Sequence, residues 1–301
     1  MRGPAEVRCT DKACVDRSVA SRRPCLRGLA EARRLDKVAG VWHGAAAVNV
    51  VLSAFFWLYL AVSLAVFWVV VAPIWVLTLP FDRRRRFSHW YAWTWANHYV
   101  ALSPFWRVHV HGREKIAADG TYVLVANHQS LGDIFVLYGL RRQFKWVAKS
   151  SLFMVPFLGW MMWMADYVGI RRGDAGSRAR MFQTSMDHLR GGSSILMFPE
   201  GTRSRDGEIQ EFRRGAFALA VQAGVPVVPI VIDGSLRALP SGTWVFKQDG
   251  VLDVRLQVLD PVDPAEFGGD EHVLQATVRA RMIAALAAMR GPRAERPLSG
   301  E

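Results

Sequence analysis

The sequence predicts an α/β domain placed behind an N-terminal membrane-embedded helical segment. Two observations carry this. No Asp, Glu, Lys or Arg occurs between Val38 and Phe81, and the stretch is built of Leu, Val, Ala, Phe and Trp. A bilayer span needs about 20 apolar residues, so this charge-free run is more than long enough. From Phe105 onward, short runs rich in β-formers alternate with helical patterns, which is the signature of a sheet layered with helices.

Taken in order, residues 1–37 are rich in Arg and Ala without apolar periodicity and read as a basic, disordered segment. Residues 38–81 read as a membrane-embedded helix or hairpin. The run is too long for a signal peptide, starts late and lacks a small-residue cleavage site. Residues 82–104 read as a basic and aromatic interfacial connector, with Arg83 to Arg86 followed by Trp90, Trp93 and Trp95. The catalytic domain is expected over 105–290, with a polar tail at 291–301. Within it, strands are expected at 107–111, 121–126, 144–148, 194–198, 227–232 and 251–258. Helices are expected at 133–140, 181–189, 212–223 and 272–289. His109 and His111 share one strand face, but no third ligand accompanies them, so they are read as ordinary strand histidines and no metal is expected.

The net charge is +12, with hydrophobic residues at 51 % of the chain. Residues 1–40 hold ten basic and five acidic side chains, and Asp82 with Arg83–Arg86 adds three more positive charges. The basicity is therefore a collar around the apolar run, not a nucleic-acid-binding face. Positive flanks on both sides favour a hairpin turning near Ser63 or Pro73, or a helix lying in the interface. Cys9, Cys14 and Cys25 all precede the apolar run, which leaves the domain with neither a disulfide framework nor a catalytic thiol. G-x-S-x-G, G-x-G-x-x-G and P-loop patterns are missing, so serine-hydrolase, dinucleotide and nucleotide-hydrolysing readings have no support.

Two short blocks carry chemistry. Asn127-His128-Gln-Ser-Leu-Gly-Asp133 follows a strand and enters a helix. A general base needs an imidazole with one nitrogen free, and a carboxylate on the other nitrogen fixes that tautomer. Asp133 can reach back to His128 for this purpose, although a carboxylate in a first helical turn is also favoured by the dipole alone. Phe198-Pro-Glu200-Gly201-Thr202-Arg203-Ser204 follows a second strand. Arg203 offers a planar fork suited to phosphate, Gly201 permits close backbone approach, and Glu200 can orient the arginine or accept from a substrate hydroxyl. A surface turn with a local ion pair is the plainer alternative. The apolar Leu152–Ala165 stretch suits an acyl channel, a lipid contact or core packing.

NHQSLGD and FPEGTRS, in this order and about seventy residues apart, resemble the blocks of the glycerolipid acyltransferase family, whose bacterial members include 1-acyl-sn-glycerol-3-phosphate acyltransferases. Lys149 within VAKSSLFMVPFLGWMM, Val168-Gly-Ile-Arg-Arg172 and Val225-Pro-Val-Val-Pro229 match further blocks, so the likeness spans roughly 105–233. It implies a mixed sheet flanked by helices. It also implies His128 as base and Asp133 as its orienting carboxylate. Asn127, Lys149, Arg171, Arg172, Glu200, Gly201, Thr202 and Arg203 are implied to bind substrate. Arg171 departs from the family pattern, which often has an acidic or variable residue there. The implied reaction moves an acyl group from acyl-CoA or acyl carrier protein to the free hydroxyl of 1-acylglycerol-3-phosphate, giving phosphatidic acid, with no bound cofactor and no nucleic-acid partner. The expected location is the inner membrane, with the domain facing the cytoplasm. An acyltransferase or transacylase acting on another lysophospholipid, and a non-catalytic membrane protein binding anionic lipid, are the competing readings.

Overall fold

The structure is a computed structural model that describes residues 23–103, 106–238, 243–246 and 251–291, with side chains from residue 48. The chain divides into two units, residues 1–51 and 52–301. The first contributes the N-terminal part of helix α1 (Arg23–Thr78). Within α1, Val48–Thr78 is long and apolar enough to cross a membrane.

The remaining elements are α2 (Arg86–Leu102), β1 (Trp106–His111), β2 (Val123–Ala126), α3 (Asp133–Tyr138), β3 (Phe144–Lys149), α4 (Leu158–Met164), β4 (Val168–Ile170), α5 (Ala175–Arg190), β5 (Ser194–Met197), α6 (Gly215–Ala223), β6 (Val227–Asp233), α7 (Ser235–Ala238), β7 (Leu252–Val258) and α8 (Glu271–Arg290). Among the described residues, seven strands form one mixed sheet in the order β1-β7-β6-β2-β5-β3-β4. All neighbours are parallel except β6 and β7, which pair antiparallel.

Successive side chains on a strand point to opposite faces, and β2 shows what this does here. Leu124 and Ala126 join the core beneath α2 and α3, whereas Val123 and Val125 join the core beneath α5, α6 and α8. With both faces covered, the central strands need no polar alternation, which is why they read as unbroken apolar runs. Each fully buried Val, Leu or Ile contributes about 1.5–3 kcal/mol over its exposed state.

Three sequence expectations change. Residues 23–37 lie in α1 rather than in a disordered segment, in keeping with the helix propensity of their Ala, Arg, Leu and Glu; residues 1–22 and the 292–301 tail lie outside the described residues. The hairpin is replaced by one continuous helix, which passes through Ser63 and Pro73 without a turn. Ser63 Oγ donates to the Leu60 carbonyl at 3.1 Å and meets the Tyr99 hydroxyl, so it is absorbed by packing instead of ending the helix. The 82–104 connector is mostly α2. Asp82 caps it, accepting from the backbone N–H groups of Arg86 and Phe87 at 2.8 Å each. Ala92, Trp95, Ala96 and Tyr99 are buried on its inner face, while Trp90 is exposed.

Beyond residue 52, α1 touches the domain repeatedly. Phe56 meets Tyr99, Phe67 meets Tyr91, and Trp68 meets Trp160 at 5.1 Å between ring centres. Trp75 Nε1 donates to the Met164 carbonyl at 3.0 Å. In α4, Met161, Met162 and Met164 are buried, while Trp160 and Trp163 remain exposed.

Candidate active site

Ligands of α/β sheets bind where parallel strands end at their carboxyl edge. In this chain β2, β5, β3 and β4 run parallel and side by side, so the segments that follow them emerge along one edge. His128 follows β2, Glu200 to Arg203 follow β5, Lys149 closes β3, and Arg171 with Arg172 follow β4.

The loop between β2 and α3 folds around one carboxylate. His128 Nδ1 lies 2.8 Å from Asp133 Oδ2, and the same oxygen accepts from the backbone N–H groups of Gln129 at 2.7 Å and Ser130 at 2.9 Å. The other oxygen accepts from the Ser235 hydroxyl at 2.5 Å. Asp133 is fully buried, and the His128 side chain is 15 % exposed. With Nδ1 assigned as the donor to the carboxylate, Nε2 is the nitrogen left to take a proton. The imidazole stacks on Phe198, with 4.0 Å between ring centres and planes 13° apart, which fixes its plane.

Two bonds stitch this loop to the one after β5. The His128 N–H donates to Glu200 Oε1 at 3.0 Å, and the Ser204 N–H donates to the His128 carbonyl at 2.7 Å. Glu200 is 4 % exposed, and burial, reinforced by the negative charges of Asp133 and Asp206, pushes its carboxyl up to about 7. Its second oxygen has no partner among the described residues. Glu200 therefore anchors the loop that carries His128 and does not pair with Arg203. Gly201 has φ +70°, and a Cβ there would lie 2.6 Å from Arg213 Nε. The glycine thus lets a second arginine lie against the loop backbone, and the Arg213 N–H closes that loop on the Pro199 carbonyl at 2.8 Å.

Asn127 is placed differently from the expectation that it binds substrate. It is buried, its amide donates to the Ile232 carbonyl at 2.9 Å, and its oxygen accepts from the Ile232 N–H at 2.8 Å. It extends the β2–β6 pairing past the strand end. Thr202 is exposed and Arg203 half-buried, with no carboxylate at ion-pair distance from Arg203 among the described residues. Lys149, Arg171 and Arg172 are exposed on the same edge. At about 4.8 Å per strand, β3 and β4 lie roughly 10 and 14 Å from β2. The β4 loop is pinned by the Arg171 N–H donating to Ser177 Oγ at 2.8 Å and by Asp174 capping α5 through the Ser177 N–H. Sequence reasoning missed Arg213, Gln129 and Ser235. Their signal is spatial: Ser235 becomes a neighbour of Asp133 only once β6 is known to lie beside β2.

An apolar cavity of about 350 Å³ opens behind the same loop. Leu131 and Gly132 form one wall, with Leu52, Phe56 and Leu60 of α1 and Tyr99 of α2 opposite.

Residues 107–233 match the family model described as Acyltransferase. The chain is 38 % identical over 186 residues to the chloroplastic 1-acyl-sn-glycerol-3-phosphate acyltransferase BAT2 of Brassica napus, covering 61 % of this chain and 53 % of the relative. It is 32 % identical over 240 residues to a 1-acyl-sn-glycerol-3-phosphate acyltransferase of Pseudomonas aeruginosa, covering 77 % and 88 % respectively. The chain spans about half the length of several curated relatives it matches. The crystal structure of the 1-acyl-sn-glycerophosphate acyltransferase of Thermotoga maritima superposes with a TM-score of 0.67 at 27 % identity, over 82 % of this chain and 98 % of that one.

Proposed function

Since the chain belongs to the acyltransferase family that includes these 1-acyl-sn-glycerol-3-phosphate acyltransferases, we propose that it transfers a fatty acyl group from a thioester to the free hydroxyl of 1-acyl-sn-glycerol-3-phosphate. The product is phosphatidic acid. The observation that carries the mechanism is the 2.8 Å contact between His128 Nδ1 and Asp133 Oδ2, with the carboxylate held by three further donors.

His128 Nε2 removes the acceptor hydroxyl proton as its oxygen attacks the thioester carbonyl. Asp133 stabilises the imidazolium that forms. The tetrahedral intermediate collapses with breakage of the C–S bond, and the imidazolium proton neutralises the departing thiolate. A thiol ionises near pKa ~8.5, so this leaving group needs little assistance, and no acyl-enzyme is required. Arg203 and Arg213 are suited to the acceptor phosphate, with Arg171, Arg172 and Lys149 further along the same edge. Thr202 and Gly201 shape the loop that presents them. The cavity beside Leu131 and Gly132 suits an acyl chain. The donor is acyl-CoA or acyl carrier protein, and no bound cofactor takes part.

The protein is proposed to act at the inner membrane, facing the cytoplasm where acyl thioesters are made. The contacts from Phe56 to Trp75 tie α1 to the domain over roughly 28 Å of helix. A helix fastened along that length to a domain rich in surface charge cannot thread the bilayer by itself, which favours α1 lying within one leaflet. Purified membranes given acyl-CoA, or acylated acyl carrier protein, with the acyl chain labelled, and a panel of lysolipids test the reading. Labelled phosphatidic acid is expected. Transfer only to lysolipids with larger headgroups would overturn the acceptor assignment, and no transfer from either donor would overturn the activity.

A further inference from the structure

We infer that Ser235 is a positioning residue of the His128–Asp133 pair, acting as the donor that holds the outer oxygen of the carboxylate. The inference rests on the general-base reading and deepens it. Ser235 stands 102 residues beyond Asp133, yet its hydroxyl reaches Asp133 Oδ1 at 2.5 Å, and both residues are fully buried. A nearby alternative acceptor, Gln129 Oε1, lies at 3.5 Å. A hydroxyl has one proton to give, and the shorter, charge-assisted contact takes it.

The fold is shaped to bring the serine there. β6 lies beside β2, so the residue that ends β6 arrives under the loop that follows β2. Gly234 makes the turn with φ +95°, and a Cβ there would lie 2.3 Å from the Asp253 carbonyl, so no side chain fits. Ser235 then opens α7 pointing at the carboxylate. Behind it, Gln129 Nε2 donates to the Gly207 carbonyl at 3.0 Å, and Arg290 Nη2 at the end of α8 donates to the same carbonyl at 2.8 Å. The serine and this latch fix opposite sides of the base-bearing loop.

Among the described residues, the charged groups facing the pair are few. His128 occupies Oδ2 of Asp133, Glu200 sits in the loop after β5, and Asp206 lies beyond it. Asp233, two residues from the serine, is engaged by Arg255 and Arg290 at 3.1 Å each. Ser235 is thus the neutral group that tempers how much negative charge the carboxylate presents to the imidazole. Without it, Gln129 and Ser130 still hold Oδ2, so the carboxylate stays near His128 but binds the imidazolium more strongly and its outer oxygen swings freely.

The test uses the full-length protein in membranes, with Ser235→Ala and Ser235→Thr beside His128→Ala. Ser235→Ala is expected to lower kcat by about 10- to 100-fold, because a carboxylate with a free outer oxygen no longer holds the imidazole in the productive alignment, and that loss outweighs its tighter hold on the imidazolium. The acceptor KM should stay unchanged, and the acid limb of the kcat/KM profile should move to higher pH. Ser235→Thr, which keeps the hydroxyl, is expected to return the limb to its original position. A limb that stays put or moves the other way in Ser235→Ala, with melting behaviour unaltered, would overturn the assignment and leave the serine a packing residue. If Ser235→Ala fails to fold, a limb displaced in Ser235→Thr overturns it equally. Retention of turnover by His128→Ala would instead remove the general-base reading itself.

Discussion

Replacing Asp133 with Asn tests the mechanism at its most constrained atom. The amide is nearly isosteric, and its oxygen can take the place of Oδ2, still accepting from His128 Nδ1, Gln129 N and Ser130 N. Its nitrogen then faces the Ser235 hydroxyl, which can turn and accept. Folding should therefore survive almost intact. What disappears is the charge opposite the imidazolium. The floor of the loss is the difference between a charge-assisted and a neutral hydrogen bond, about 1.5–3 kcal/mol against about 1 kcal/mol. The ceiling is the Coulomb term for unit charges at 2.8 Å, on the order of 6 kcal/mol at an effective dielectric of 20. Between these limits kcat should fall by about 10²–10⁴-fold, with acceptor and donor KM little changed. Initial rates of phosphatidic acid formation, measured alongside thermal melts, supply the comparison. An Asp133→Asn variant within threefold of the wild-type kcat would refute the assignment of Asp133 as the partner of a general base.

Glu200 sets a pH dependence of the fold. Its carboxyl is raised to about 7 from 4.5, so the folded state binds the proton more tightly than the unfolded chain. Stability is then highest below pH ~4.5 as far as this group is concerned, and declines as pH rises from there to about 7. Glu200→Gln should flatten that slope in denaturation curves at pH 5 and 8 while still accepting from the His128 N–H; an unchanged slope would assign the dependence elsewhere. Arg203→Lys keeps the charge but loses the planar fork, so the acceptor KM should rise while the donor KM holds; an unaltered acceptor KM would make Arg203 a loop residue. For the membrane, cysteines introduced in place of Arg34 and Arg86 should both label from the cytoplasmic side, and labelling from opposite sides would establish that α1 crosses.

Much of the fold can be read directly from the chain. The strand positions of β2, β5 and β6 follow from apolar runs, because both faces of a central strand are buried and only its ends meet water, whereas β1 and β7 show the alternation of strands with one face open. β4 escapes this logic, being three residues long at the sheet margin. α2 escapes it because Trp90, Trp93 and Trp95 suggest a lipid interface as readily as a core, and only the packing decides the matter. In the site, His128, Asp133 and Glu200 meet because their blocks follow neighbouring strands. The assignment of Asn127 goes astray for the same spatial reason. A buried amide next to a candidate base looks like a ligand contact until the adjacent β6 backbone is seen to satisfy both of its ends. Arg213 stands outside every sequence block, and only the missing side chain of Gly201 records its presence.

The strand order carries one more consequence. Along the chain the functional segments run 128, 149, 172, 200; across the sheet they run 128, 200, 149, 172. Each is delivered by its own strand, and the chain returns to the far edge before starting the next. Spacing between blocks is therefore not a ruler for the site. Residues added or removed where the chain turns at that far edge, such as Gly191–Ser193 between α5 and β5, change the interval between blocks without moving the atoms they deliver. Loss of a single residue within the eight from Asn127 to Ile134 would shift the phase of a helix against a strand and disconnect the carboxylate from the imidazole. The chain is elastic between its blocks and rigid inside them, and insertions tolerated by such proteins should map accordingly.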